Sequence, residues 1–208
     1  MIIIVDYGMG NLGSILNMLK KVGAPVVKIS SDAKEIERAE KLILPGVGAF
    51  DTGMQRLRET GLIPLLNEKV LQAKTPTLGV CLGMQLITKV SEEGKLPGLG
   101  WLDAETIRFR FDPVKNGLKI PHMGWNTVKV HRAGTLFKDM YPDARFYFVH
   151  SFHIVAHNAS DILTTTDYGY EFVSAVQQEH IMAVQFHPEK SHKFGMKLYK
   201  NFVEYDRC

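Results

Sequence analysis

The sequence predicts an α/β fold: a mostly parallel, doubly wound sheet flanked by helices, with a smaller antiparallel layer. Three observations predict it. Up to about Val80, β-branched apolar runs alternate with segments of helical periodicity, at the spacing of strand–helix–strand units. Beyond about Gly94 helical periodicity fades and short strand-like runs follow one another. Between these halves, an apolar run leads through Cys81 straight into a helical pattern.

Ile2 to Val5 reads as a buried parallel strand, because the run is continuous and β-branched. Asp6 to Asn11 is a glycine-containing turn. Leu12, Ile15, Leu16, Leu19 and Val22 recur at helical spacing, and Gly23 and Pro25 stop that helix. Val26 to Ile29 is a second strand. Ser31 or Asp32 can cap a short helix through Ala39. Leu42 to Leu44 is a third strand, ending in Pro45-Gly46-Val47-Gly48. A helical region follows from about Asp51 to Gln72, with a break near Gly61 and Pro64. The fourth strand enters Cys81, and a helical pattern runs from there through Val90. In the second half the expected strands are Glu105 to Phe111, Asn126 to Val130, Phe146 to Val149, Leu163 to Thr166, Phe172 to Gln177 and Ile181 to Phe186. A last helix spans about Phe194 to Tyr205. Gly94 to Gly100 reads as a crossover loop, so residues 1–208 are expected to form a single domain.

Composition is that of a globular protein, with 45% hydrophobic and 23% charged residues among 208 and a net charge of +3. The cations are scattered, apart from Lys190, Lys193, Lys197 and Lys200. That cluster reads as a solvated helix face, so no nucleic-acid partner is expected. The apolar start is too short for a membrane span and has no basic region before it, so neither a membrane partner nor a signal peptide is expected. The two cysteines, Cys81 and Cys208, fit a reducing, cytoplasmic setting without a structural disulfide.

The chemistry centres on Gly79-Val80-Cys81-Leu82-Gly83. A nucleophile on a sharp strand-to-helix turn has little room, so its neighbours must lack bulk, and Gly79 and Gly83 meet that need. The turn also sets the sulfur at a helix N-terminus, where free N–H groups favour a thiolate. His187 is the expected base. It ends the strand from Ile181 to Phe186, and Pro188 should hold the backbone extended so that Glu189 points the same way and fixes the imidazole. Ligands of parallel sheets bind at the carboxyl ends of strands, which is where Cys81 and His187 would both lie. Gly46, Val47 and Gly48 follow another strand, and their backbone N–H groups could hold a developing oxyanion. Gln85, one helical turn beyond Cys81, could bind a polar substrate. His150 and His153 lack an acidic or cysteine neighbour, so no metal is expected there. No cofactor is called for.

Gly-Val-Cys-Leu-Gly-Met-Gln, Pro-Gly-Val-Gly and Phe-His-Pro-Glu, in this order, resemble the class I (triad-type) glutamine amidotransferases. Asp6 to Asn11, Pro121-His122-Met123-Gly124-Trp125-Asn126, Tyr147 to Phe152 and His187 to Ser191 are similar to the glutaminase subunits of imidazole glycerol phosphate synthases, which serve histidine biosynthesis. The resemblance runs from Ile3 to Phe202. It implies Cys81 as nucleophile, His187 as acid and base, and Glu189 as its orienter. It implies an oxyanion strand of Gly46, Val47 and Gly48, with the Leu82 N–H as second donor. L-glutamine would be held by Gly48, Gln85 and backbone around Ser151 and Phe152. Asn11, Trp125, Tyr147 and Lys190 would face a (β/α)8-barrel synthase subunit in a heterodimer.

Residues 190–197 and 99–105 look more like a paralogous branch that supplies ammonia for amidinating sugars. A stand-alone cysteine hydrolase and a non-catalytic regulatory subunit are further alternatives. A missing triad residue would favour the last, and none is missing.

Overall fold

The first strand, β1 (Ile2–Val5), is buried along its whole length, and its alternating side chains feed two separate cores. Ile2 and Ile4 point to one face and Ile3 and Val5 to the other, so the sheet needs helices on both sides. The computed structural model describes residues 1–111 and 117–205. Cys208 lies outside the described residues.

On one face lie α1 (Leu12–Lys21) and the C-terminal helix, called α6 (His192–Val203). They bury Ile15, Leu19, Phe194, Leu198, Tyr199 and Phe202. On the other lie α2 (Ala33–Glu37), α3 (Phe50–Glu59), α4 (Ile63–Asn67) and α5 (Leu82–Leu86). They bury Ile36, Phe50, Met54, Leu57, Leu66 and Leu82. Asp32 caps α2 by accepting from the Lys34 N–H at 2.7 Å. The expected long helical region breaks near Gly61, and α4 continues into a π-helical turn over Glu68–Gln72.

Strands β2 (Val27–Ser30), β3 (Lys41–Leu44) and β4 (Thr77–Val80) join β1 in parallel. The later strands are β5 (Val90–Ser91), β6 (Ala104–Arg108), β7 (His122–Thr127), β8 (Lys129–Val130), β9 (Arg145–His150), β10 (Phe152–Ala156), β11 (Ile162–Asp167), β12 (Glu171–Gln178) and β13 (Ile181–Val184). Among the described residues the main sheet runs β2-β1-β3-β4-β13-β12-β10-β6-β5, with β11 on β12 and β8 on β11. A separate two-stranded antiparallel sheet pairs β7 with β9. The fold is therefore α/β with a mainly parallel first half, as expected.

Several expectations differ. The strand expected over Asn126 to Val130 is split between β7, which already begins at His122, and β8, because the chain passes at Val128 from pairing with β9 to pairing with β11. The helix after Cys81 ends at Leu86 rather than reaching Val90. Thr88 Oγ1 donates to the Gln85 carbonyl at 2.8 Å, and the Lys89 N–H bonds to the Ala104 carbonyl at 3.0 Å, so the chain leaves the helix for strand pairing. Strands β5 and β10 have no counterpart among the strands expected from the sequence. Only Ser151 separates β10 from β9, so no glycine or proline marks the change of direction. Among the described residues no helix is long and apolar enough to cross a membrane.

Candidate active site

Strand β13 inserts beside β4, parallel to it, with Val184 level with Val80. The Cys81 N–H donates to the Val184 carbonyl at 2.8 Å. The ends of the two strands thus lie together, and Cys81 and His187 line one cavity of about 300 Å³. That volume is at the small end for ligand pockets. Gly48, Gln85, Ser151 and Phe152 line it too, as do Val47 and Leu82.

Cys81 has φ +54° and ψ −110°, a conformation that side chains rarely adopt. The strain belongs to the turn that projects the sulfur from the end of β4 onto the N-terminus of α5. The neighbours explain themselves by distance. A Cβ at Gly83 would stand 1.9 Å from the Leu44 carbonyl oxygen, and one at Gly79 would stand 3.0 Å from the Gly83 oxygen. Strand β3, the turn and α5 could not pack this closely with any larger residue there.

His187 Nδ1 lies 2.8 Å from Glu189 Oε1, and both side chains are almost fully buried. The backbone is extended only at His187. Pro188–Lys190 forms a 3-10 turn, which carries the carboxylate back onto the ring. The expectation of an extended Pro188 was therefore wrong in route, although the pairing stands. Ser191 locks the turn by donating to the His187 carbonyl at 2.6 Å. Burial works against a charged imidazole, but contact with Cys81 and then Glu189 outweighs it and raises the His187 pKa to about 10. Nε2 is buried and makes no hydrogen bond within ordinary limits.

Of the segment expected to bind the oxyanion, Val47 and Gly48 line the cavity and Gly46 does not. The Leu82 N–H donates to the Gly46 carbonyl at 3.4 Å, so the expected second donor is occupied. Tyr7 holds this segment by donating from its hydroxyl to the Pro45 carbonyl. Gly48 sits at φ +102°, which glycine alone adopts readily.

Gln85 Nε2 donates to the Phe152 carbonyl at 3.0 Å and to Gln185 Oε1 at 3.1 Å. Gln185 Nε2 in turn lies 3.9 Å from Cys81 Sγ. Sequence reasoning missed Gln185 and Glu93, which also faces the cavity. Gln185 did carry a signal, as a polar residue within the apolar run of β13 and its extension. Glu93 carried none. It accepts from the Phe50 N–H at 2.9 Å, and burial raises its pKa.

Three of the four expected interface residues come together. Trp125 is 44% exposed, stacks on His192 with centroids 5.5 Å apart, and meets Tyr147 edge-on at 6.4 Å. Lys190 Nζ lies 5.5 Å from the Tyr147 ring centroid. Met123, 62% exposed, is two residues from Trp125 on β7 and shares its face. Asn11 opens α1, with no capping bond from its side chain. His150 and His153 hydrogen-bond to backbone and aromatic partners, and among the described residues no three metal-ligating side chains gather.

The profile of the family Glutamine amidotransferase class-I matches residues 3–205. The chain belongs to the class-I glutamine amidotransferases. It is an enzyme of that family, acting on the side-chain amide of glutamine. Among similar proteins, imidazole glycerol phosphate synthase subunit HisH 2 of Methanococcus maripaludis is 54% identical, across 98% of this chain and 99% of its own length. The protein of the same name from Pseudomonas aeruginosa is 51% identical, across 98% and 99%. A solved structure of PurLQS from Thermotoga maritima shares the fold, with a TM-score of 0.72, at 18% identity over 98% of this chain and 97% of that one.

Proposed function

We propose that the chain is the glutaminase subunit of an imidazole glycerol phosphate synthase, working as one catalytic domain in the cytoplasm. The observation that carries the chemistry is the His187–Glu189 pair, 2.8 Å apart, at the end of the strand beside Cys81. The Cys81 thiolate attacks the glutamine carboxamide carbon. Backbone N–H groups of the Gly46-to-Gly48 segment and of Leu82 hold the oxyanion. His187, oriented by Glu189, gives its Nε2 proton to the departing ammonia. Water, deprotonated by His187, then releases glutamate from the thioester. Gln85 and the backbone of Ser151 and Phe152 hold the substrate, and the Glu93 carboxylate faces its ammonium group.

Ammonia released into neutral water becomes ammonium, which is not a nucleophile. The chain therefore needs a partner that seals the cavity and carries ammonia to its own acceptor. The exposed Met123 and Trp125, the half-buried Tyr147 with Lys190 over its ring, and Asn11 at the start of α1 suit a (β/α)8-barrel synthase subunit in a heterodimer. The similar proteins of M. maripaludis and P. aeruginosa carry names that fit this reading. Residues 99–105 and 190–197 keep the sugar-amidinating branch as a second reading. Purification of the chain with its native partner, followed by a glutamine-dependent product assay, separates them. Imidazole glycerol phosphate formation is the expected result, and an amidinated sugar as sole product would overturn it.

The triad also predicts a pH effect. His187 is active as a proton donor only while charged, so kcat/KM falls as pH rises through its pKa. Glu189→Gln keeps the shape and removes the charge that helps raise that pKa. The alkaline limb should move to lower pH, and the rate at pH 8 should fall by roughly 10²-fold. His187→Ala should cost more. An alkaline limb left in place by Glu189→Gln would remove Glu189 from this role.

A further inference from the structure

Strand β7 carries more than its exposed tryptophan. His122 and His150 are directly opposed residues of β7 and β9, and both are buried. His150 Nδ1 lies 2.7 Å from the Phe152 carbonyl oxygen. A carbonyl only accepts, so this nitrogen carries the proton. Burial holds the His150 pKa well below the usual range and lowers that of His122 to about 4, so both rings are neutral at neutral pH. His150 Nε2 is then an acceptor, and His122 Nδ1, 3.1 Å away, must donate to it. His122 Nε2 accepts in turn from Asn126 Nδ2 at 3.3 Å, and the same amide donates to the Asp167 carbonyl at 2.8 Å. Every bond therefore has one direction: Asn126 to His122, His122 to His150, His150 to the Phe152 oxygen.

The end of this relay is a corner of the cavity. Ser151 is the single residue at which the chain leaves the small sheet for the main one. The Phe152 carbonyl that receives His150 also receives Gln85 Nε2. His122 itself does not line the cavity, and its ring lies stacked between Phe148 and Tyr168, with centroids 4.7 and 3.9 Å away.

We propose that His122 is a positioning residue for glutamine: its Nδ1–H holds His150 in one tautomer, and His150 thereby pins the Ser151–Phe152 corner and Gln85 in their substrate-binding arrangement. This rests on the reading of the cavity as the glutamine site. It also accounts for the histidine and the asparagine of the Pro121-to-Asn126 motif, which the interface leaves unexplained.

The test uses three substitutions with different donors. His122→Asn places an amide N–H where Nδ1 stands. His122→Gln places it nearer Nε2 and cannot reach His150. His122→Phe keeps the stacking and loses the donor. The readout is alkylation of Cys81 by the chloromethyl ketone analogue of glutamine, in which sulfur bonds to the methylene carbon and chloride leaves. Its half-saturating concentration reports recognition and its limiting rate reports the thiolate.

His122→Gln and His122→Phe should raise the half-saturating concentration about five- to tenfold, the worth of one hydrogen bond, with the limiting rate unchanged. His122→Asn should match the unaltered protein. If Gln and Asn behave alike, the relay is wrong. If His122→Phe fails to fold by circular dichroism, the Asn and Gln pair still decides. If labelling of the unaltered protein does not saturate at all, the glutamine-site reading fails, and the proposal with it.

Discussion

Replacing Cys81 with alanine should abolish glutamate release from glutamine while leaving partner-driven turnover of added ammonium salt intact. The sulfur is the only nucleophile at the end of β4, and it stands beside a buried imidazole and carboxylate. Removing a nucleophile from a coupled triad costs roughly 10⁶-fold in kcat, because the remaining members have nothing to act on. The fold should survive. Alanine is smaller than cysteine and relieves none of the packing around Gly79 and Gly83, although it keeps the strained backbone at φ +54°. Steady-state glutamate release with the partner present checks the prediction, and mass spectrometry of electrophile-treated protein should find the label on Cys81. Near-normal hydrolysis by the alanine variant would sink the assignment. Loss of both glutamine- and ammonium-driven turnover would point instead to a failed assembly.

The second large effect concerns the partner. With the Gly46 carbonyl on the Leu82 N–H, a donor that the oxyanion needs is occupied. One lost oxyanion donor costs about 10²–10³-fold in kcat. The isolated chain should therefore be a feeble glutaminase, and the synthase subunit with its acceptor bound should stimulate it by at least that factor. The change required is a rotation of backbone within Gly46-Val47-Gly48, where two glycines permit conformations closed to other residues. About 5.5 kcal/mol of differential binding would carry such a segment from 1:99 to 99:1. Gly48→Val should suppress the stimulation, since a branched side chain is strained at φ +102°. Glutamate release is measured on the chain alone, with partner, and with partner plus an acceptor analogue. Equal rates in all three would favour a stand-alone hydrolase.

Which parts of this were legible beforehand follows the range of the interactions involved. Strand β1, helix α1 and the break at Gly61 depend on neighbours within a few residues, so periodicity and glycine placement announced them. The end of α5 at Leu86 depends on Thr88 and on pairing with Ala104, and the local pattern gave no warning of it. Strand β10 was missed because its only boundary is Ser151, an ordinary residue at a crossing between two sheets.

The same division holds in the site. Gly79, Cys81 and Gly83 announce a crowded turn, and Glu189 two residues from His187 announces a pair, since both are local constraints on backbone and reach. Their meeting is not local. It requires β13, about a hundred residues later, to insert next to β4 in parallel, which follows from burying Ile181–Val184 on both faces at the centre of the sheet. Gln185, Glu93 and the His122–His150 relay are of the second kind. Each has a role only through atoms brought to it by distant strands, and an isolated glutamine, glutamate or histidine in the chain looks like any other. The sequence by itself determined the family and singled out Cys81 and His187 as the candidate nucleophile and base. The tertiary structure alone decided that the oxyanion donor is closed and which buried polar groups hold the cavity in shape, because those depend on hydrogen-bond geometry between segments far apart in the chain.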